Sequence, residues 1–383
     1  MTATTAVGNE TVPGARPRVL LVTPRYPPLT GGVETHVREV ARRAAGLGFD
    51  ATVLTVDLAG SLPAIEDIDG VPVRRVGGYP RRRDYYVAPD VYRSVLTGGW
   101  DLVHCQGVHT FVPILAMVAA VRRRVPFVVT FHTGGHSSAL RRLLRPAHWL
   151  ALAPLLRRAE RLIAVSEFER RLFAGVPGIP GRRLVVIPNG ADLPALTGPA
   201  PRVEDGLIVS LGRLERYKGH HLAIAALPAV IDRIPSARLL VVGGGPYRDD
   251  LEQLAARLGV GERVRITSID SSDRAGMAAL LSRAAAVVLL SEYEAHAIAA
   301  IEAIALGRPV VVTDATGLHD LVDAGLARGV RPGAGPSEIS AAICDEIASP
   351  RVRTTKIPSW DDAATALAAV YRETIAARRP NEP

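Results

Sequence analysis

Residues 291–313 read SEYEAHAIAAIEAIALGRPVVVT. From Ala297 to Leu306 the chain is Ala, Ile and Leu around a single Glu, and Gly307 ends the run. Good helix formers leading to a Gly stop predict a helix, and Pro309 then opens a Val-rich strand. A helix that is apolar on every side is buried. Such a helix running straight into a short apolar strand is one unit of an alternating α/β sheet. Glu302 contradicts its surroundings, because its helical neighbours Ile298, Ala299, Ala305 and Leu306 are all apolar. A second carboxylate, Glu294, stands eight positions earlier, at the helix entrance.

The same alternation fills the chain. RVLLVTP, ATVLTVD, DLVHCQG, PFVVTFH, RLIAVS and LVVIPNG in the first half, and LIVSLGR, ARLLVVGGG, RVRITSI, AAVVLLS and PVVVTD in the second, are short continuous apolar runs. Parallel strands covered on both faces read this way. Pro and Gly cluster in LPALTGPAPRVEDG (193–206), where periodicity lapses. The fold class is therefore α/β, with two doubly wound Rossmann-like domains. The expected divisions are a tail over 1–16, a first domain over 17–192, a linker over 193–205, a second domain over 206–360 and a last helix over 361–378. Ligands of such sheets sit beyond the carboxyl ends of the strands, so two halves facing each other make a cleft.

At 383 residues the chain exceeds one ordinary core. Its composition, 48% hydrophobic and 5% aromatic, suits a soluble globular enzyme. The N-terminal MTATTAVGNETVPGARP is polar, without the pattern of a signal peptide, and no run is long and clean enough to span a bilayer. Cys105 and Cys344 stand alone, which excludes a disulfide framework or a Cys-based zinc site and fits a reducing cytoplasm. The net charge of +8 is almost all Arg, with only Lys218 and Lys356 as lysines. With abundant Ala, Gly and Pro, this is the signature of a GC-rich genome, so the charge argues little for nucleic acid. A phosphate-bearing small ligand comes first, and peripheral contact with an anionic membrane surface second.

Several motifs carry chemistry. In 212–219, GRLERYKG, Arg213 leaves a strand's carboxyl end and Lys218 precedes a helix N-terminus, an arrangement suited to a diphosphate. Gly31 and Gly32 open the first helix and let backbone N–H groups approach an anion, without the GxGxxG spacing of a dinucleotide site. Gly244 lies in a similar turn, VVGGGPY. His132 ends the strand PFVVTFH on the cleft side. Three other patterns have simpler explanations. Asp67-Ile68-Asp69 spells a metal-binding DxD, but Asp69-Gly70 reads as a hairpin turn. Gly135-His136-Ser137-Ser138-Ala139 imitates a nucleophile elbow, several residues too far from its strand. The run 139–162 has a membrane-surface look, but Pro146 and Pro154 interrupt it, and packing on the sheet explains its apolar part.

Together these residues resemble the retaining GT-B glycosyltransferases of family 4. The likeness rests on Glu294 and Glu302 with seven residues between them, the GRPVVVT that follows, GRLERYKG, VVTFH, LTGGVE, RLIAVSEFER and VVIPNGAD. It covers roughly residues 17–375. It implies GT-B architecture, with the C-terminal half binding a nucleotide diphosphate sugar, the N-terminal half binding a hydroxyl acceptor, and the last helix crossing back to the first domain. Arg213 and Lys218 would hold the diphosphate, Glu302 the ribose hydroxyls, and Glu294 the donor sugar, with His132 near the reacting centre; the alternative for Glu302 is a backbone N–H or an Arg partner within the fold. Gly31, Gly32, Gly244, His296, Ala297 and Ile298 complete the donor side, and His109 and His136 are acceptor-side candidates. No metal and no cofactor beyond the co-substrate is expected.

The chain departs from the family pattern where Ala295-His296-Ala297 replaces Gly-Phe-Gly, and where ITSIDSSD (266–273) replaces a turn containing an aromatic residue near the nucleobase. Both leave the donor open. The acceptor classes are a natural product, a glycolipid, a polyol and a polysaccharide. The competing classes are a GT-B nucleotide-sugar epimerase and a non-catalytic nucleotide-sugar-binding protein.

Overall fold

The computed structural model describes residues 15–29, 31–81, 86–135, 139–191, 193, 201–270, 273–351 and 357–378, with no account of the side chains of 139–144. The first sheet is built from β1 (Arg18–Val22), β2 (Asp50–Val56), β3 (Ile65–Ile68), β4 (Val71–Val76), β5 (Leu102–Gln106), β6 (Phe127–Thr130), β7 (Arg161–Ala164) and β8 (Leu184–Val186). Between them run α1 (Gly32–Ala44), α2 (Pro89–Thr97), α3 (Phe111–Arg123), α4 (Ala139–Leu156) and α5 (Glu167–Ala174). The second sheet holds β9 (Leu207–Leu211), β10 (Arg238–Val242), β11 (Val264–Thr267), β12 (Ala286–Leu289), β13 (Val310–Thr313) and β14 (Arg328–Val330). Its helices are α6 (His220–Arg233), α7 (Arg248–Arg257), α8 (Arg274–Arg283), α9 (Ile298–Ala305), α10 (His319–Asp323) and α11 (Pro336–Ala348). α12 (Trp360–Ala376) ends the described fold.

The strand orders are β3-β4-β2-β1-β5-β6-β7-β8 and β11-β10-β9-β12-β13-β14. The chain reverses its direction of travel between β1 and β5 in the first sheet, and between β9 and β12 in the second. Those two switch points are where open sheets place their ligands. Alternate residues of β1 face opposite cores: Leu20 and Val22 pack one way, Val19 and Leu21 the other. α12 belongs to the first domain by packing, because Leu367, Tyr371 and Ile375 join Val19 and Leu21 in one cluster. A capping box at Ser359 and Asp362 fixes its start.

β3 and β4 form the antiparallel hairpin expected from Asp69-Gly70, with φ of 55° and 77° at those residues. Asp67 accepts the Gly70 amide at 2.8 Å within the turn, and Asp69 ties the turn to α1 by pairing with Arg38 at 2.6 Å. The short β14 has no counterpart among the strands read from sequence. α4 corrects the expectation of an interrupted helix, since it runs through Pro146 and Pro154. Each interior proline costs up to about 3 kcal/mol. The burial of Trp149, Leu152, Ala153 and Leu156 against the first core offsets it. The expected linker lies mostly outside the described residues, as do Ser137 and Ser138 of the elbow-like motif.

Candidate active site

The loop after β9 is shaped by glycines. Gly219 has φ 74°, caps the N-terminus of α6, and leaves no room for a side chain: an added Cβ would lie 2.0 Å from the Leu290 carbonyl. This draws the loop against the one that follows β12. Lys218 Nζ lies 2.6 Å from Glu294 Oε1, and Ser291 donates to the same oxygen at 2.8 Å. Arg213 donates to the Tyr217 hydroxyl at 2.7 Å and pairs with Glu215 at 2.8 Å, with nearly half its side chain exposed. Tyr217 and Tyr293 stack with centroids 4.5 Å apart. A third loop fixes Glu294 itself: its amide donates to Thr316 Oγ1 at 2.9 Å and its carbonyl accepts from Gly317 at 2.9 Å.

Across from these loops, His132 follows β6 with φ 54°, a left-handed conformation that costs a non-Gly residue about 1–2 kcal/mol. Its neighbour explains how it is held. The Thr133 amide donates to Glu169, whose other carboxylate oxygen accepts from Val165 at 2.8 Å. Burial pushes the Glu169 carboxyl up to about 8, against the pull of the two amides and Arg145. His132 itself is held well below the usual imidazole range by burial and by His36, His104, His109 and His296 around it.

The two domains touch at this point. A Cβ on Gly134 would lie 2.5 Å from the backbone of Glu294 and Ala295, and one on Gly135 2.5 Å from Tyr293 Cβ. The Phe168 amide also donates to Asp320 at 3.0 Å.

The remaining expected residues divide. Gly31 is extended rather than left-handed, and its lack of a side chain makes room for the Glu34 carboxylate, 2.4 Å from where a Cβ would stand. Glu34 in turn adds its charge to the field that raises Arg213. A Cβ on Gly32 would lie 3.8 Å from Ile298 Cδ1, across the domains. The turn after β10 depends on Gly243 and Gly245, which pack against Gly212 and Leu214, while Gly244 faces open space. Ile298 joins Trp360 and Ala363 in a small apolar cluster, so its side chain is a packing group, and Ala297 caps α9. His296 Nδ1 is buried without a hydrogen-bond partner among the described residues, and burial pushes the ring down to about 4. His109 braces the loop after β6 through Thr133 Oγ1 at 2.6 Å. His136 lies outside the described residues.

Glu302 is buried as expected, at 3% exposure, but it has a cation: Arg274, in the first turn of α8, pairs with it. The lone carboxylate inferred from the helix is thus half of an ion pair, made with a residue 28 positions away. Arg274, Glu169, Gly134 and Gln106 were all missed from sequence. Only Gln106 left a signal, as a polar residue ending an apolar strand. Among the described residues no group of three or more His, Cys, Asp or Glu could hold a metal ion.

Comparison with known proteins agrees with this geometry. Residues 30–194 match Glycosyltransferase Family 4, and residues 199–349 match Glycosyl transferases group 1. A GDP-mannose:cellobiosyl-diphosphopolyprenol alpha-mannosyltransferase of Komagataeibacter xylinus is 29% identical, covering 97% of this chain and 96% of its own. A D-inositol 3-phosphate glycosyltransferase of Nocardiopsis dassonvillei is 31% identical, covering 84% and 83%. Among solved structures, sucrose-phosphate synthase from Thermosynechococcus elongatus superposes with a TM-score of 0.76 at 21% identity, over 94% of this chain and 100% of that one. Anabaena HepE in complex with UDP-glucose gives 0.68 at 23% identity, over 94% and 98%. The chain therefore belongs to the group 1, family 4 glycosyltransferases of GT-B fold, enzymes that use a nucleotide sugar.

Proposed function

We propose that the chain transfers a hexose-type sugar, with retained anomeric configuration and without a metal, from a nucleotide diphosphate sugar to a hydroxyl of its acceptor. The observation that carries this reading is the Lys218–Glu294 pair at the switch point of the second sheet, with Arg213 on the same loop as Lys218 and His132 of the first domain opposite. The anomeric carbon–oxygen bond to the diphosphate breaks, and negative charge grows on the departing phosphate. Two fixed cations stabilise that charge. The acceptor oxygen bonds to the anomeric carbon on the same face, and its proton passes to the departing phosphate oxygen. No protein nucleophile takes part. Glu294 and His132 contact the transferred sugar, and Glu302 the ribose. Arg274 pairs with the Glu302 carboxylate. Among the described residues no helix is long and apolar enough to cross a membrane. We place the reaction in the cytoplasm, with peripheral membrane contact where the acceptor carries a lipid.

The test is a thermal-shift panel of UDP, GDP, ADP and dTDP sugars, with GDP-mannose and UDP-glucose first. A donor at 100 times its dissociation constant adds about 2.7 kcal/mol of stability. Product analysis with candidate acceptors then reads the anomeric configuration. An inverted product would sink the retaining assignment, and sugar isomerised without an acceptor would favour an epimerase.

A further inference from the structure

Behind His132 runs a line of buried polar groups that the transfer reading leaves unused. His132 Nε2 is 2.8 Å from Gln106 Oε1, and Gln106 Nε2 is 3.2 Å from His104 Nε2. His104 Nδ1 is 2.6 Å from the Tyr371 hydroxyl, and its Nε2 is also 2.7 Å from Thr130 Oγ1. His104, Gln106 and Thr130 are fully buried, and Tyr371 is nearly so. The line therefore starts on α12, passes through β5, and ends on the half-buried ring at the domain contact.

Hydrogen-bond chemistry gives the line a direction. An amide oxygen only accepts and an amide nitrogen only donates. With Oε1 of Gln106 toward His132, the proton of that ring sits on Nε2. With Nε2 of Gln106 toward His104, the nitrogen of His104 it meets is bare, and the His104 proton sits on Nδ1, directed at Tyr371. His132 Nδ1 is then left with its lone pair and makes no hydrogen bond among the described residues.

We propose that Gln106 is a positioning residue that fixes the tautomer of His132, so that a bare Nδ1 accepts a hydrogen bond from a hydroxyl of the bound sugar. This rests on the transferase reading for the identity of that hydroxyl, but not for the tautomer. The surroundings keep the ring neutral. His36 from α1, His104 from β5, His109 from the following loop and His296 from the second domain all face it, and burial disfavours a charge there. The nearby carboxylate, Glu169, is occupied with the Thr133 and Val165 amides. A protonated ring would present a donor at Nδ1 instead.

Two substitutions separate the possibilities. In Gln106→Glu, an ionised carboxylate draws a second proton onto the ring and makes Nδ1 a donor, whereas a neutral one mimics the amide, its hydroxyl donating to His104 Nε2 and its carbonyl accepting from His132 Nε2. In Gln106→Leu the ring loses its partner and exchanges between tautomers. The experiment is long-range 1H–15N spectroscopy of the full chain labelled at histidine, without nucleotide, with His132 assigned by its loss in His132→Asn. The expected spectrum has protonated Nε2 and bare Nδ1, with both nitrogens protonated in Gln106→Glu when its carboxyl is ionised and averaged shifts in Gln106→Leu. Kinetics with the donor found in the panel should show kcat lowered roughly 10-fold in Gln106→Leu. Gln106→Glu should also gain an acid limb in its pH profile if its pair is ionised. A wild-type ring protonated on Nδ1, or a Gln106→Leu ring with the wild-type spectrum, would overturn the proposal. If Gln106→Glu does not fold, Gln106→Leu decides alone. Expected ring spectra from a chain inactive with every donor would support the tautomer assignment and refute the transferase reading instead.

Discussion

Lys218 and Glu294 meet across two loops of the second sheet, Nζ 2.6 Å from Oε1, with only 16% and 15% of their side chains exposed. Lys218 is therefore a covered, neutralised cation rather than a free surface charge. A diphosphate brought to it shares the cation with a carboxylate that is itself pinned by Ser291.

Lys218→Ala should lower turnover roughly 100–1,000-fold, the cost of removing one preorganised group that stabilises developing charge. It should also destabilise the fold by about 1–3 kcal/mol, because Glu294 loses its partner in a mostly covered site. Steady-state rates and denaturant unfolding measure both. A folded Lys218→Ala protein with normal turnover would remove Lys218 from the mechanism.

The Arg274–Glu302 pair predicts unequal costs. Arg274 is a quarter exposed and Glu302 is buried. Arg274→Ala deprives a buried carboxylate of its cation and should cost about 3–5 kcal/mol. Glu302→Gln leaves an arginine that can turn to water and should cost less, about 1–2 kcal/mol. If Glu302 also holds ribose, Glu302→Gln should weaken nucleotide binding roughly 10–100-fold. Unchanged affinity in calorimetric titration would leave Glu302 a purely structural residue.

Gly134→Ala should hold the domains apart, since the added methyl would meet backbone of Glu294 and Ala295 and not a side chain that can yield. Displacing the reacting groups by about 1 Å can cost roughly 100-fold in rate. Small-angle scattering should show a larger radius of gyration with little change in melting temperature. Wild-type scattering and turnover together would contradict the contact.

The buried histidines set the acid limit. Burial pushes His36 down to about 4 and His104 down to about 3, below the ordinary 6.5. The unfolded chain therefore binds protons that the folded chain refuses, and stability falls as pH drops from about 6.5 towards 4. Glu169 acts in the opposite sense between about 4.3 and 8, since its folded carboxyl keeps a proton that the unfolded one releases. His296, pushed down to about 4, and His132 act in the same sense as His36 and His104, so the histidines outweigh the one glutamate and stability is lost overall between pH 6.5 and 4.3. Urea unfolding across that range checks it, and His104→Gln should flatten the slope.

Turnover should survive EDTA, because Arg213 and Lys218 supply the positive charge that a metal would bring. Activity abolished by the chelator and restored by manganese would redirect attention to Asp67 and Asp69.

Much of the molecule is legible along the chain because the determining physics is local. Continuous Val- and Leu-rich runs specify strands buried on both faces, and a stop such as Gly307 specifies where a helix ends. A residue at a strand's carboxyl end reaches the ligand edge in any doubly wound sheet, so Arg213 and His132 stand out from sequence position alone, and Lys218 from its place before a helix N-terminus. Other features depend on residues brought together from afar. Glu302 reads as a solitary charge until α8 delivers Arg274, and Gln106 reads as one more strand residue until β6 and α12 place His132 and Tyr371 at the two ends of its line. Pro146 and Pro154 mark a break in any local account of α4, and only the burial of its apolar face keeps the helix whole. Gly134 signals nothing in its own segment, because the atoms that exclude its side chain belong to the other domain. Periodicity and chain stiffness act over a few residues, whereas ion pairing, proton direction and steric exclusion act through space, and only the folded chain sets those distances.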